Sequence, residues 1–200
     1  MILDAGNNPV TDDILPAGTY SIVPVNLSFK EPSNYVADYT TGVLVVNPVP
    51  LHVQADDKVV YAGGDKPVFT STITGYIGDD STSVISGPEY KIEPDCAGKP
   101  GVYTIIPYGL VLATPGNYQI TYATGTLYIN PDIRRSEKIE PFVECIEAVT
   151  GHVSGYKYVV HFSYKNNNRT PVYIPAGADN IIRSPSGYSG APPELFMPGT

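Results

Sequence analysis

Few residues of this chain have the types needed for nucleophilic chemistry, and they are widely spaced. The sequence holds three histidines, His52, His152 and His161, and two cysteines, Cys96 and Cys145. Cys145 with either His152 or His161 could form a thiolate nucleophile and its general base. The motifs G-x-S-x-G and H-E-x-x-H are absent. Since Cys145 and His161 lie in segments with the pattern of β-strands, we expect structural roles for both and no enzyme activity.

The candidate metal ligands are equally scattered. No CxxC or CxxH spacing exists, so no zinc site is predicted. The pairs Asp12-Asp13, Asp56-Asp57 and Asp79-Asp80 could offer oxygen ligands to calcium, but none has the D-x-D-x-D-G loop spacing. Acidic turns are the favoured interpretation, and no cofactor is expected. Cys96 and Cys145 are expected to be free thiols, although the sequence leaves a disulfide between them open.

An internal repeat sets the framework for these residues. Residues 18–48 and 101–131 align without gaps at a constant offset of 83 residues. Roughly half of the aligned positions are identical, and self-similarity at a fixed period marks a repeat array. The period is longer than that of a solenoid, about 20–50 residues, so each unit is expected to have its own core. The offset makes 1–48 the later part of one unit and 50–131 a complete unit.

The repeat also divides the tyrosines into two groups. Three pairs recur at the same unit positions, namely Tyr20/Tyr103, Tyr35/Tyr118 and Tyr39/Tyr122. We expect Tyr118 and Tyr122 to lie on the core face, since tyrosine can bury its ring and leave its hydroxyl at the rim. Tyr108 and Tyr128 do not recur, so they are the candidate ligand-binding residues. The alternative for the recurring tyrosines is a stacking platform for a glycan.

Alternation with a period of two predicts strands rather than helices. Residues 118–123 and 126–129 both alternate, and the turn at Thr124-Gly125 predicts that they form a hairpin. Gly42 and Gly125 are expected to have positive φ at the two equivalent turns. Residues 78–85 could form one short helical turn. The predicted fold is mostly β, made of tandem small modules arranged as beads on a string. Each complete module is expected to hold at most one short helix, and an Ig-like sandwich is one alternative for its architecture.

Composition and charge exclude several classes of function. The chain has 19 glycines, 20 prolines and 16 tyrosines but no tryptophan, a profile that suits short strands and turns. Its formal net charge of −8 argues against binding nucleic acid or an anionic membrane surface. No window has the roughly 18 apolar residues of a membrane span.

Several spaced motifs carry a resemblance to a known family. They are the segment VVYAGGDKP at 59–67, Thr-Gly-Tyr at 74–76, Gly-Val-Tyr at 101–103, Asn-Tyr at 117–118 and GTLYINP at 125–131. Residues 50–131 thereby resemble the MBG repeat of bacterial surface proteins, in the subtype marked by a Tyr-Gly pair. Ala62 between Tyr61 and Gly63 is a small departure. The resemblance implies a long, secreted, adhesin-like parent protein and a β-grasp-related fold, and it carries no catalytic residues.

The last part of the chain resembles a different module. Residues 143–200 are similar to a small β-module near the ends of bacterial extracellular proteins, with Ser163 in place of the usual glycine. The expected domains are a truncated repeat at 1–48, a complete repeat at 50–131, a linker at 132–142 and a truncated module at 143–200. Both ends look cut, as in a fragment of a longer chain.

These observations predict a non-enzymatic spacer region of a large bacterial cell-surface or secreted adhesin-like protein, located outside the cell. Its expected neighbours are further repeats of the same parent chain. The alternative is a ligand-binding module that recognises a glycan or a partner protein through exposed tyrosines or a sheet edge. Burial of Tyr118 and Tyr122 would favour the spacer, whereas an exposed row including Tyr108 and Tyr128 would favour binding.

Overall fold

The computed structural model of the chain describes residues 1–12, 14–78, 80–149, 155–184 and 187–199. Asp13, Asp79 and His152, three of the candidate ligands and bases, lie outside these residues. Within the described residues, the regular elements are strands and single-turn 3₁₀ helices. The prediction of a mostly β chain is therefore confirmed.

Seventeen strands are numbered in chain order. They are β1 Ile2–Leu3, β2 Pro9–Val10, β3 Gly18–Ile22, β4 Gly42–Val46, β5 Val49–Ala55, β6 Lys58–Tyr61, β7 Ser71–Thr74, β8 Val84–Ser86, β9 Glu89–Glu93, β10 Gly101–Tyr108, β11 Val111–Leu112, β12 Tyr118–Ala123, β13 Gly125–Asn130, β14 Glu140–Ala148, β15 Tyr158–Lys165, β16 Val172–Tyr173 and β17 Leu195–Phe196. The 3₁₀ helices are Pro32–Asn34, Asp80–Ser83 and Pro115–Asn117. The turn at Asp80–Ser83 confirms the short helix predicted within 78–85.

The chain folds into two compact units. The first comprises Met1–Val53, Ile73–Glu89 and Gly109–Tyr122. It contains the sheet β2-β1-β3-β4 and the pair β8-β11. Its core is formed by Leu51, Val53, Leu110, Leu112 and Tyr118.

The second unit comprises Gln54–Thr72, Tyr90–Tyr108 and Ala123–Thr200. Its main sheet has the order β6-β13-β10-β9, in which β13 runs parallel to β6 and antiparallel to β10. Its core contains Ala55, Ile105, Leu127 and Ile129. The later residues add the ribbon β14-β15 and the pair β16-β17. A further three-stranded sheet has the order β12-β5-β7.

The two copies of the repeat have the same strand register. In the first copy β3 pairs antiparallel with β4, from Gly18 opposite Val46 to Ile22 opposite Gly42. In the second copy β10 pairs with β13, from Gly101 opposite Ile129 to Ile105 opposite Gly125. Adding the offset of 83 to each residue of the first set gives the second. The sequence repeat is therefore also a repeat of backbone pairing.

The predicted hairpin at the end of each copy is wrong. β12 lies in the sheet with β5 and β7, whereas β13 pairs with β10 and β6. In the first copy, residues 35–41, all of them described, contain no strand at all. Alternation predicted the strands of the second copy correctly, but neighbours in sequence need not be neighbours in a sheet.

Gly42 and Gly125 also do not have the positive φ that was predicted for them. Gly125 is required for a steric reason instead. A Cβ on Gly125 would lie 2.6 Å from the carbonyl oxygen of Ala55, closer than side-chain carbons approach oxygen. The close crossing of two backbones, rather than a turn conformation, explains this glycine.

The acidic pair at 56–57 lies between β5 and β6. The Asp56 carboxylate accepts hydrogen bonds from the hydroxyls of Thr70 and Thr72, and Asp57 accepts one from the amide of Thr126. The Thr70 bond, with smaller contributions from Thr72 and Lys58, lowers the pKa of Asp56. These contacts support the interpretation of the pair as an acidic turn.

Candidate functional site

The two candidate binding tyrosines lie on one sheet but far apart. Tyr128 of β13 is opposite Val102 of β10, and Tyr108 lies six residues further along β10. Even-numbered residues of β10 face away from the core, so both tyrosines project from the outer face of the sheet. At about 3.3 Å per residue, the two positions are separated by about 20 Å. The structure therefore does not bring Tyr108 and Tyr128 into one site.

Tyr128 is covered by an aromatic partner from the later part of the chain. Its ring stacks on that of Tyr173 with the centroids 3.9 Å apart and the planes 13° from parallel. The Tyr173 hydroxyl donates a 2.7 Å hydrogen bond to Glu194, whose other carboxylate oxygen accepts the amide of Ala176. One face of Tyr128 is thereby occupied within the chain, while Tyr108 is about half exposed at the end of β10.

Asn130 is the last residue of β13, and its buried side-chain amide bonds to β16, the strand that contains Tyr173. Asn130 is only 4% exposed. Its Nδ2 donates to the carbonyl of Tyr173, and its Oδ1 accepts from the amide of Tyr173, both at 2.8 Å. The side chain thus imitates the two bonds of a paired strand residue. We call this contact, together with the Tyr128–Tyr173 stack, the Asn130 clamp. In the sequence, Asn130 stands out only as part of the motif at 125–131.

Replacing Asn130 by alanine is expected to destabilise the chain by about 1–3 kcal/mol, since two partly buried backbone groups of Tyr173 lose their partners. The matched control is Asn47→Ala, because Asn47 occupies the same repeat position but is exposed. The Asn47 variant should change stability by less than about 0.5 kcal/mol. Hydrogen exchange at the Tyr173 amide should accelerate in the first variant only. Unchanged protection of that amide would contradict the clamp.

The Tyr173 phenol is expected to ionise at an unusually high pH. Its hydrogen bond to Glu194, with burial and the negative charge of Glu194 adding to it, raises the pKa of Tyr173 to about 12. An unfolded tyrosine ionises near pH 10. The stabilisation from this pair should therefore be complete below about pH 10 and be lost as the pH rises to about 12.

Spectroscopic titration of tyrosinate checks this expectation. Tyr173→Phe should remove the part of the tyrosinate signal that appears at the highest pH. Glu194→Gln should move that part of the signal to lower pH, because the carboxylate that raises the pKa of Tyr173 is gone. Circular dichroism controls for folding at each pH. A late component that persists in Tyr173→Phe would assign it to another tyrosine.

The recurring tyrosines divide differently from the prediction. Tyr118 is buried, which confirms its core placement, and its hydroxyl accepts the amide of Ile77 and donates to Asp80. Burial raises the pKa of Tyr118. Tyr122, predicted beside it on the core face, is 40% exposed, and its hydroxyl accepts the amide of Leu110. Tyr118 and Ile120 of β12 belong to the core of the first unit, whereas Tyr122 belongs to neither core cluster.

The glycine-rich motif at 59–67 borders a groove in the second unit. The groove has a volume of about 330 Å³, near the lower limit for small-molecule sites. Aromatic and charged side chains share its wall, including Tyr61, Asp65, Lys66, Phe69 and Tyr90. Aromatic rings beside one acid and one base can stack on and hydrogen-bond to a small polar ligand. Tyr61, Asp65 and Lys66 belong to the family motif at 59–67, but the sequence did not predict the groove.

The ribbon β14-β15 brings Cys145 and His161 together. The two residues are direct cross-strand partners, and both are exposed. Glu147, two residues after Cys145, places a carboxylate oxygen 3.6 Å from Nε2 of His161. Cys96 and Cys145 are free thiols, as predicted. The strand positions expected for Cys145 and His161 are confirmed.

The fold and the repeat define a chain of small β-modules with a duplicated strand pairing. Residues 51–128 match the family model of the MBG domain of the YGX type, so this segment is an MBG-type domain. No curated protein and no solved structure matches the chain. Among the described residues, none of the helices has the length and apolar character needed to span a bilayer.

Proposed function

We propose that this chain is a non-enzymatic spacer region of a large bacterial cell-surface or secreted adhesin-like protein. The observation that carries the proposal is the duplicated strand pairing, because a repeat array extends a chain by adding copies of one module. The MBG-type domain at 51–128 supports it, since repeats of this kind resemble those of surface proteins. In this proposal the neighbours of the chain are further modules of the parent protein outside the cell.

The strand order of the second unit suits a load-bearing spacer. β6 lies early in the complete repeat and β13 at its end, and the two pair in parallel from Lys58–Leu127 to Tyr61–Asn130. Tension along the chain pulls such strands past one another, so their hydrogen bonds are loaded together rather than one at a time. The Asn130 clamp ties the end of β13 to β16. A spacer needs resistance to extension and no pocket.

A binding module is the second candidate, and the groove beside 59–67 favours it. Tyr61, Phe69 and Tyr90 could stack on a sugar ring, and Asp65 and Lys66 could hydrogen-bond to its hydroxyls. Tyr108 and Tyr128 remain separate candidate contacts for a glycan or a partner protein. The charge of −8 still argues against nucleic acid as that partner.

A glycan array with the 200-residue chain separates the two functions. The spacer predicts no saturable binding to any glycan. A saturable signal that Tyr61→Ala abolishes would overturn the pure spacer and assign binding to the groove. A signal that is instead lost in Tyr108→Ala would assign it to the outer face of the sheet.

A further inference from the structure

The exposed ribbon β14-β15 carries a cluster of three different metal-ligand types. Cys145, Glu147 and His161 each offer one donor atom, and these atoms all lie within 4.8 Å of one another. Cys145 and His161 face each other across the ribbon, and Glu147 is on the same face because side chains alternate along a strand. The cluster is therefore built by strand pairing, not by chance approach of loops.

A β-bulge aims these side chains. β14 and β15 pair with Val143 opposite Phe162 and then Cys145 opposite His161, so Glu144 is an extra residue. Without that extra residue, Glu144 would face His161, and Cys145 would project from the other face of the ribbon. Bulges commonly re-aim side chains in this way. The backbone irregularity is what places a thiol, an imidazole and a carboxylate together.

The separations suit a tetrahedral ion. Bond lengths of about 2.0–2.3 Å to nitrogen, oxygen and sulfur put the ligand atoms of such an ion about 3.3–3.6 Å apart. The nitrogen of His161 and the oxygen of Glu147 are already 3.6 Å apart. Bringing the remaining atoms closer requires only rotation of exposed side chains. Sulfur and imidazole donors select zinc rather than calcium or magnesium.

We propose that Cys145, Glu147 and His161 form a zinc-binding site with a fourth position open to water. On binding, the Cys145 thiol loses its proton to solvent and the thiolate becomes a zinc ligand, while His161 binds through a neutral ring nitrogen. No such site was predicted from the sequence, because it has no CxxC or CxxH spacing. Ligands that meet across two strands leave no short-range spacing to find.

Cobalt(II) serves as the spectroscopic probe, because a thiolate ligand gives cobalt an absorption that water and carboxylate ligands do not. The metal-free 200-residue chain, kept reduced, is titrated with cobalt chloride and then with zinc. We expect a thiolate–cobalt band that saturates at one equivalent and disappears as zinc displaces cobalt. Cys145→Ser should abolish the band.

The other two ligands are tested by affinity. Glu147→Gln and His161→Gln should each weaken cobalt binding at least about 10–100-fold, the range seen for residues that only support a ligand. Cys96→Ser and His52→Gln are the matched controls and should bind cobalt as the parent chain does. The three ligand residues are exposed, so their variants should fold, which circular dichroism checks.

Three results would overturn the site. The first is a parent chain that gives no thiolate band at one equivalent of cobalt. The second is a band that is lost in Cys96→Ser and retained in Cys145→Ser, because it would move the thiolate ligand to the other cysteine. Equal affinities in the parent chain and in both Glu147→Gln and His161→Gln would likewise refute the three-ligand geometry.

Discussion

Replacing Ile105 by alanine is expected to lower the free energy of unfolding by about 2–5 kcal/mol. Ile105 is fully buried in the core of the second unit, in a cluster with Ala55, Leu127 and Ile129. Truncation removes three buried carbons and leaves a cavity that surrounding strands cannot close, because their backbones are fixed by pairing. This should be among the most damaging single truncations in the chain.

The internal repeat supplies the matched control for this prediction. Ile22 occupies the same unit position as Ile105 and pairs with Gly42 as Ile105 pairs with Gly125. Ile22 is 42% exposed, so Ile22→Ala should cost less than about 1 kcal/mol. Urea denaturation of both variants measures the difference. Equal losses would mean that the two copies bury this position to the same extent.

Gly125→Ala is expected to destabilise the chain by about 2–3 kcal/mol, at the upper end of the range for overpacking. The new Cβ would lie 2.6 Å from the Ala55 carbonyl oxygen and 3.0 Å from that of Asp56. Both obstacles are backbone atoms of the second unit, so neither can rotate away. The β13 strand would have to shift out of register with β10 or β6.

The equivalent change in the first copy should have the opposite sign. A Cβ on Gly42 would meet only side-chain atoms of Ile22, at 3.6 Å or more, which is ordinary contact. Neither glycine has positive φ, so backbone strain does not separate the two positions. Gly42→Ala should be neutral or stabilise by up to about 1 kcal/mol, because alanine restricts the unfolded chain. Thermal unfolding of the pair would test this, and a loss at Gly42 as large as at Gly125 would exclude the steric explanation.

The parts of the fold that sequence predicts well are those fixed by local pattern. Alternation located β12 and β13, and the aspartates at 56–57 were correctly interpreted as an acidic turn, which lies between β5 and β6. The choice of strand partner is not local. β12 and β13 are joined by a single residue but lie in different sheets, because each has a better partner elsewhere in the chain.

The candidate sites show the same limit. The prediction for Tyr118 was right and that for Tyr122 wrong, because burial depends on what covers the end of β12 and not on alternation within it. The Cys145–His161 pairing depends on a bulge at Glu144 that no residue type announces. The hydrogen-bonding role of Asn130 could have been predicted. Asn130 ends a strand with mostly buried positions, and a buried polar side chain needs a hydrogen-bonding partner.

The parallel pairing of β6 with β13 has a consequence for synthesis. Lys58 pairs with Leu127, which the ribosome adds 69 residues later. At about 5–20 residues per second, that interval is about 3–14 s on the ribosome. During this time β6 has no β13 to pair with, and long-range parallel contacts form slowly even once the partner exists. The β6–β13 pairing of this repeat can therefore form only after the whole segment from Lys58 to Asn130 has been synthesised.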